Sequence, residues 1–415
     1  MLTDKNKYKI QKKEVIKMKK FTKVASAAVA VAMVVTSLAG CGSSKGSDSS
    51  AIKIGGIGPI TGAAAIYGKA VKNAAEIAVE EINAKNDGVK FEFKFEDDEH
   101  DAEKSVNAYN TLKDWGMQIL MGTVTTTPCV AVSSETNADN IFQLTPSASS
   151  TDVIGGQPDK DGNVTIQRKS NVFQMCFTDP NQGVASADYI SKQKLGSKIA
   201  VIYNNSDAYS TGIYQKFVAE ADKKGLSVVS TSTFTDDSAN DFSSQLNEAK
   251  AAGADLLFLP IYYTPASLIL KQANDMQFDV KVFGVDGMDG ILSIKNFDTS
   301  LAEDVMLLTP FTADATDEKT QNFVKKYKEK FGDTPNQFAA DAYDCIYALY
   351  EACKAAGVTA DMSAEDICTA LTAQFTASDF TFDGLTGEGV KWSDSGEVSK
   401  SPKGMIIKNG AYVGM

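Results

Sequence analysis

Histidine, tryptophan and cysteine are scarce in this 415-residue chain, which contains one His, two Trp and six Cys. The single histidine, His100, leaves little material for a zinc site or for a cysteine–histidine catalytic pair. No C-x-x-C motif occurs. The cysteines after Cys41 are expected to be mostly small buried apolar residues, with one disulfide possible. They are Cys129, Cys176, Cys345, Cys353 and Cys368.

Motifs of nucleotide-binding and hydrolytic enzymes are missing as well. The chain has no G-x-x-x-x-G-K-[ST] loop and no G-x-S-x-G elbow. The segment GGIGPITG at 55–62 resembles a dinucleotide-binding loop, but Thr61 occupies the third glycine position and Pro59 lacks an N–H. The acidic run at 96–99 is better explained as a solvated strand end than as a metal site. We therefore expect no catalytic residue, no metal and no cofactor.

The first 50 residues have the pattern of a secretion signal followed by a tether. A lysine-rich start precedes an apolar run, Val24–Leu38, which is shorter than the ~20 residues of a membrane span. The run ends in Leu-Ala-Gly-Cys at 38–41, which resembles a bacterial lipobox in which Cys41 is acylated. The alternative is an ordinary signal peptide with a chance cysteine. We predict a lipoprotein signal peptide at 1–40, a flexible tether at 41–50, and an extracytoplasmic protein held on the cell membrane by its lipid.

The remainder of the chain is strongly acidic. The whole chain has a formal net charge of −12, and residues 1–40 hold nine lysines against two acidic residues, so their removal leaves about −19. Such a surface does not favour nucleic-acid binding, which depends on cationic side chains that release counterions. We expect no nucleic-acid partner.

Strand and helix patterns alternate through the remaining ~365 residues, a length that favours two domains. Phe91–Phe95 alternates apolar and charged residues as a half-exposed strand does, whereas Ala64–Ala84 has the apolar spacing of a helix. Helices are also predicted at Ala102–Trp115 and Glu318–Phe331. Alternation of this kind predicts an α/β fold with parallel sheets, in which ligands bind at the carboxyl ends of the strands.

Such strand ends are predicted in the stretch from Met121 to Ser149. It reads as two copies of one unit, a short apolar strand followed by a hydroxyl-rich turn and then a helix start. The first N–H groups of a helix lack internal partners and lie at the positive end of its dipole. Two adjacent turns of this kind would hold a small carboxylate, and the stretch contains no nucleophile with a base.

Several short motifs, each weak by itself, together resemble the type I periplasmic substrate-binding proteins of ABC importers. The closest subgroup is the leucine/isoleucine/valine-binding proteins. The resemblance implies two Rossmann-like lobes with parallel central sheets, joined by three crossovers, with an amino acid enclosed between them. The motifs are the lipobox, IGPITGAAAIYG at 57–68, MGTVTTT at 121–127, TPSAS at 145–149, a Tyr within 205–212 and FGVDG at 283–287.

The resemblance also assigns candidate ligand contacts. Thr126 would hold the ligand carboxylate, and Asp286 would pair with its ammonium group. Ser147 would contribute a backbone carbonyl to the ammonium, and Ser149 a hydroxyl and an amide. The remaining positions would form pocket walls: Tyr67, Val124, Thr125, Tyr209, Tyr263 and Phe338.

Two features depart from the family's pattern. Asp286 is shorter by a methylene than the Glu that the family usually has there, and Thr125 and Ser147 are more polar than their counterparts in a branched-chain pocket, so the walls are compatible with a different neutral amino acid. Structural explanations also exist for several candidates: Thr126 and Ser149 as helix caps, Asp286 as a turn residue, and the tyrosines as core or surface residues.

Lobe one is predicted from 51–178 and 310–385, and lobe two from 179–309 and 386–415. The favoured function is delivery of a branched-chain or other neutral amino acid to an ABC permease with ATPase subunits, by a monomer. The alternatives are a receptor of the same fold that feeds a membrane signalling protein, and a secreted α/β enzyme.

Overall fold

The computed structural model describes residues 51–158 and 162–415. The predicted signal peptide 1–40, the tether 41–50 and Cys41 lie outside the described residues. In the described part, no helix has the length and apolar character needed to cross a membrane.

Two separate sheets organise the chain. The first contains five parallel strands in the order β2-β1-β3-β4-β5. Its strands are β1 Ile52–Gly58, β2 Phe91–Asp97, β3 Ile119–Gly122, β4 Phe142–Thr145 and β5 Val172–Gln174. The predicted α/β class with two parallel central sheets is confirmed.

The second sheet has seven strands in the order β12-β11-β10-β9-β8-β6-β7. Its first five strands along the chain are parallel, and an antiparallel hairpin continues it at one edge. The strands are β6 Lys198–Asn204, β7 Ser227–Phe234, β8 Leu256–Leu259, β9 Lys281–Gly284, β10 Met306–Thr309, β11 Lys403–Lys408 and β12 Ala411–Gly414. The sequence analysis did not predict β10 or the hairpin.

Helices connect the strands and cover the sheets. The predictions of Ala102–Trp115 and Glu318–Phe331 are confirmed. Capping explains both starts, because the Asp101 side chain accepts a hydrogen bond from the Lys104 N–H and the Asp317 side chain accepts one from the Thr320 N–H. The helices are α1 Ala65–Lys85, α2 Ala102–Trp115, α3 Thr126–Asp139, α4 Asp179–Lys192, α5 Ala208–Lys223, α6 Ser243–Ala251, α7 Tyr263–Asp275, α8 Glu318–Phe331, α9 Gln337–Ala356 and α10 Ala364–Phe375.

The chain passes between the two sheets three times. It leaves the first sheet before α4 and returns after β10, since α9 packs on α1 and α10 packs on β4. The third passage is later than predicted. Residues beyond 385 still contact the first sheet, because the Trp392 indole N–H donates to the Gln174 carbonyl at 2.8 Å. The Lys400 ammonium also lies 2.8 Å from Asp341 of α9. We therefore place the last lobe boundary between Lys400 and Lys403, where β11 begins.

The five cysteines after Cys41 are all buried and unpaired. Burial raises the pKa of the Cys129 thiol to about 11 and that of Cys353 to about 12. These thiols are therefore protonated near neutral pH and behave as small apolar core residues.

Candidate ligand-binding cleft

The carboxyl ends of β3 and β4 lie side by side, as the sequence predicted. Met121 is in register with Leu144, so the turns that follow the two strands are adjacent. Thr125 occupies the N-cap position of α3 in an extended conformation, but no side chain caps this helix. The amino-terminal end of α3 therefore keeps its capacity to bind an anion.

The second turn differs from the prediction, because none of the described residues between β4 and β5, 146–158 and 162–171, is helical. Instead, hydroxyl groups tie the segment after β4 to the first turn. The Thr145 hydroxyl donates to the Thr123 carbonyl at 2.6 Å, and the Ser147 hydroxyl donates to the Val124 carbonyl at 2.6 Å. Hydroxyl-rich sequences favour turns as well as helix caps, so composition alone did not distinguish the two.

Ser149 lies behind the cavity rather than in its wall. Its carbonyl accepts a hydrogen bond from the Asp179 N–H at 2.9 Å, and its buried hydroxyl lies beside the Asp179 carboxylate. Asp179 is the first residue of α4, where the chain enters the second lobe. Ser149 thus connects the first lobe to this crossing.

The second lobe places Asp286 at the opposite side of the cleft, two residues after the end of β9. Its Oδ1 accepts a hydrogen bond from the Tyr209 hydroxyl at 2.6 Å, and its backbone N–H donates to Gln182 Oε1 at 3.2 Å. The next residue has to be glycine, because a Cβ on Gly287 would lie 2.5 Å from the Tyr209 hydroxyl. Asp286, predicted to meet an ammonium group, is therefore held through its side chain by Tyr209 and through its backbone by Gln182.

Aromatic rings form the walls between these two ends. Tyr67 contacts Phe338 with ring centroids 4.4 Å apart, and Tyr209 stacks on Tyr262 at 4.8 Å. The Tyr67 hydroxyl donates to the Gly287 carbonyl and so joins the lobes directly.

Eight of the ten predicted residues line one common cavity of about 10 Å³. A cavity of this size holds about one water molecule, so the lobes are closed on each other and must separate before an amino acid can enter. The eight are Tyr67, Val124, Thr125, Thr126, Ser147, Tyr209, Asp286 and Phe338, and the cavity is completed by Tyr262 and Gly287.

Tyr262 takes the position predicted for Tyr263. Tyr262 is the extended N-cap residue of α7, whereas Tyr263 is its first helical residue. Successive side chains at a helix start point in different directions, and the Tyr263 hydroxyl accepts a hydrogen bond from the Ile66 N–H at 3.1 Å. Tyr263 therefore joins the two lobes outside the cavity. A pair of adjacent tyrosines could not be resolved from sequence spacing alone.

Burial dominates the electrostatics of the cleft. It raises the pKa of Asp286 to about 7 and that of Asp207 to about 7, and it raises the pKa of Asp179 well above its usual value. Across residues 51–158 and 162–415, none of these three carboxylates forms a salt bridge. A buried carboxylate without a cationic partner favours a ligand that brings a positive charge.

The sequence analysis missed three further residues near the cleft: His100, Asp179 and Gln182. His100 was considered only as a possible metal or catalytic group, and in the described residues no cluster of His, Cys, Asp or Glu could hold a metal ion. Its position shortly after β2, at the same sheet edge as Thr125, was the signal that could have identified it.

Comparisons with known proteins identify a family and several relatives of this chain. Residues 51–401 match the periplasmic binding protein family. The Leu/Ile/Val-binding protein homolog 3 of Brucella melitensis is 33% identical over 240 residues, which cover 57% of this chain and 61% of that relative. The leucine-, isoleucine-, valine-, threonine- and alanine-binding protein of Pseudomonas aeruginosa is 25% identical, with 81% of this chain and 84% of that protein covered.

A solved structure has the same fold. The branched-chain amino acid transporter substrate-binding protein LivJ of Streptococcus pneumoniae, in complex with isoleucine, superposes with a TM-score of 0.75 at 24% identity. The match covers 87% of this chain and 97% of that chain.

Two parallel-sheet lobes that enclose one small polar and aromatic cavity define a two-lobed ligand-binding protein. The match over residues 51–401 shows that the chain belongs to the periplasmic binding protein family. The resemblance found in the sequence motifs is thereby confirmed.

Proposed function

We propose that this protein is an extracytoplasmic receptor that captures a neutral amino acid between its lobes and delivers it to an ABC permease. The observation that carries the proposal is the composition of the cavity lined by Tyr67, Thr126 and Asp286 between the lobes. The uncapped start of α3 lies at one side, the Asp286 carboxylate lies at the other, and aromatic rings lie between them. A zwitterion needs this combination of an anion site, a cation site and apolar walls.

The proposed contacts follow from this arrangement. Thr126, at the start of α3, binds the ligand carboxylate, while Asp286 and the Ser147 carbonyl bind the ammonium group. Tyr67, Val124, Thr125, Tyr209, Tyr262 and Phe338 surround the remainder of the ligand. Ser149 lies behind the cavity wall and acts through its contact with Asp179.

The names of the relatives support a neutral amino acid as ligand. One relative is named for leucine, isoleucine and valine, and another adds threonine and alanine to these. The described part of this chain offers no cationic side chain in the cavity wall that would pair with an acidic ligand side chain.

Membrane attachment through Cys41 completes the proposal. Several acyl chains on Cys41 would hold the protein stably, at ~0.8 kcal/mol per buried CH₂, whereas one chain alone is marginal. The tether would then present the lobes, as a monomer, to the permease. Replacing Cys41 by Ala should abolish lipid labelling and release soluble protein, and a wild type without lipid would contradict this part of the proposal.

Calorimetry with the soluble Cys41→Ala protein tests the central claim. The twenty amino acids are titrated one at a time, and we expect binding by neutral amino acids and much weaker binding by aspartate, glutamate, lysine and arginine. X-ray scattering of the same samples should show a compact state with the bound amino acid. If no amino acid binds, the proposed function is wrong.

A further inference from the structure

The only histidine of the chain lies directly behind the cavity wall. His100 Nδ1 is 2.8 Å from the hydroxyl oxygen of Thr125, which lines the cavity. The His100 backbone N–H donates to Asp98 Oδ1 at 2.9 Å, and the residue has a φ of 63°, in the left-handed region. A non-glycine residue in this region is uncommon, so local contacts hold the imidazole at this place.

The same ring also contacts the second lobe. His100 meets Tyr262 edge to face, with ring centroids 5.5 Å apart and an interplanar angle of 87°. Tyr262 lines the cavity, and its buried hydroxyl has no hydrogen-bond partner within the described residues. His100 thus touches one wall residue from each lobe, and both of these residues carry a hydroxyl group.

The other hydroxyl groups of the wall have partners elsewhere. The Ser147 hydroxyl donates to the Val124 carbonyl, and the Tyr209 hydroxyl donates to Asp286. The Tyr67 hydroxyl donates to the Gly287 carbonyl. Thr126 is assigned to the ligand carboxylate under the proposed function. The groups left for a ligand side chain are the hydroxyls of Thr125 and Tyr262.

The hydrogen-bonding capacity of these two hydroxyls determines which ligand side chains can be enclosed against them. A threonine hydroxyl has one donor and two acceptor positions, and the contact with His100 uses only one of the three. The imidazole nitrogen also limits the rotation of the hydroxyl group. An aliphatic ligand side chain enclosed against these groups leaves their remaining capacity unsatisfied, which is unfavourable in a buried site.

We propose that His100 is a positioning residue that fixes the Thr125 hydroxyl, and that the Thr125–Tyr262 end of the cleft selects amino acids with a hydrogen-bonding side chain. The inference rests on the proposed function, because it concerns which neutral amino acid that site prefers. L-threonine and L-valine have nearly the same shape and differ by a hydroxyl in place of a methyl group, so their affinity ratio measures the preference.

Calorimetry with L-threonine and L-valine tests the inference on the soluble Cys41→Ala protein and its variants. We expect the protein to prefer threonine by about tenfold or more, the typical effect of one unsatisfied buried polar group. Thr125→Val should remove most of this preference. His100→Phe keeps a ring beside Tyr262 but loses the nitrogen, and it should lower the ratio. His100→Gln keeps a polar partner for Thr125 and should retain part of the preference for threonine.

A matched control variant and the melting temperature distinguish a positioning role of His100 from a general loss of protein stability. Thr111→Val removes an exposed hydroxyl that bonds only within α2, and it should leave the threonine-to-valine ratio unchanged. A variant that is merely less stable lowers both affinities together. If His100→Phe does not fold, Thr125→Val carries the test, since valine has the shape of threonine.

Two outcomes overturn the inference while the proposed function stands: valine binds the unmutated cleft as tightly as threonine, or the ratio survives both Thr125→Val and His100→Phe. If no neutral amino acid binds, the proposed function itself has failed. The two failures are therefore distinguishable in one set of titrations.

Discussion

The Tyr209 hydroxyl donates a hydrogen bond to Asp286 Oδ1 at 2.6 Å, and the same hydroxyl oxygen accepts the Gly287 N–H at 2.9 Å. One aromatic side chain from α5 thus fixes both the carboxylate and the backbone of the turn after β9. A carboxylate that is already oriented loses little freedom when it meets a cation. This relationship makes Asp286 the residue on which the proposed function depends most directly.

Replacing Asp286 by Asn should weaken amino acid binding by ~2–4 kcal/mol, roughly 30- to 1,000-fold, because the ammonium group is then enclosed without its counter-charge. Asn keeps the size of the side chain, so the fold should be retained. Calorimetry measures the loss, and the exposed Asp275→Asn on α7 is the control for a change in net charge. Unchanged affinity in Asp286→Asn would remove this residue from the site.

Buried carboxyl groups predict an unusual pH dependence of the ligand-free protein. The pKa values of Asp286 and Asp207 are about 7, against an ordinary value of 3.8, because burial disfavours their charged forms. The folded state therefore binds more protons than the unfolded state between these two values. Stability then falls as the pH rises through this interval, by up to about 1.4 kcal/mol per unit for each group.

Thermal unfolding at pH 5, 6, 7 and 8 checks this dependence. We expect the melting temperature without ligand to fall across the series, and the increase produced by a neutral amino acid to grow, since its ammonium favours the charged carboxylate. Asp286→Asn should make both trends shallower. A melting temperature that rises steadily with pH would contradict the prediction.

Closure of the lobes should depend on the hydroxyl of Tyr67. It donates to the Gly287 carbonyl and accepts the Tyr263 N–H at 3.2 Å, and both partners belong to the second lobe. Tyr67→Phe keeps the ring contact with Phe338 but removes these hydrogen bonds. We expect a larger radius of gyration by X-ray scattering without ligand, and weaker ligand binding. The same radius in both proteins would show that these bonds do not hold the lobes together.

Much of the fold was predictable from local sequence patterns, and the failures of that prediction have physical causes. The apolar spacing and the caps of α2 and α8 specify those helices closely, because the information lies within the segments themselves. The antiparallel hairpin β11–β12 turns at Asn409-Gly410, both with positive φ, which is a strong two-residue turn motif that the sequence analysis overlooked. Its pairing with β10 was harder to predict, because β10 lies far away in the sequence. The third passage between lobes depends on contacts of Trp392 and Lys400 that no local pattern encodes.

The sequence predicted which strand ends form the cleft and which kinds of side chain lie there. Thr125 and Asp286 follow predicted strands, so their location at the cleft could be inferred. The choice between Tyr262 and Tyr263 depends on where α7 begins, and a difference of one residue reverses the direction of the side chain. The contact between His100 and Thr125 joins two loops and leaves no trace in either segment alone.

The buried pair Lys400–Asp341 should be the most sensitive point of the last passage between lobes. The Lys400 ammonium is 2.8 Å from Asp341 Oδ1, with side-chain exposures of 2% and 3%, and it also donates to the Thr386 hydroxyl. Lys400→Met leaves the Asp341 carboxylate buried without its cation. We expect a loss of ~3–5 kcal/mol in the free energy of unfolding at pH 8, measured by chemical denaturation.

The pH response distinguishes an unpaired charge from lost packing. Burial raises the pKa of Asp341 to about 6 even though Lys400 lowers it, so loss of Lys400 should raise it further. Because the protonated acid carries no charge, the deficit of Lys400→Met should be smaller at pH 5 than at pH 8. Lys400→Met combined with Asp341→Leu should recover most of the stability at both pH values. A deficit that is equal at pH 5 and pH 8, and that persists in the double variant, would mean that Lys400 stabilises the passage by packing alone.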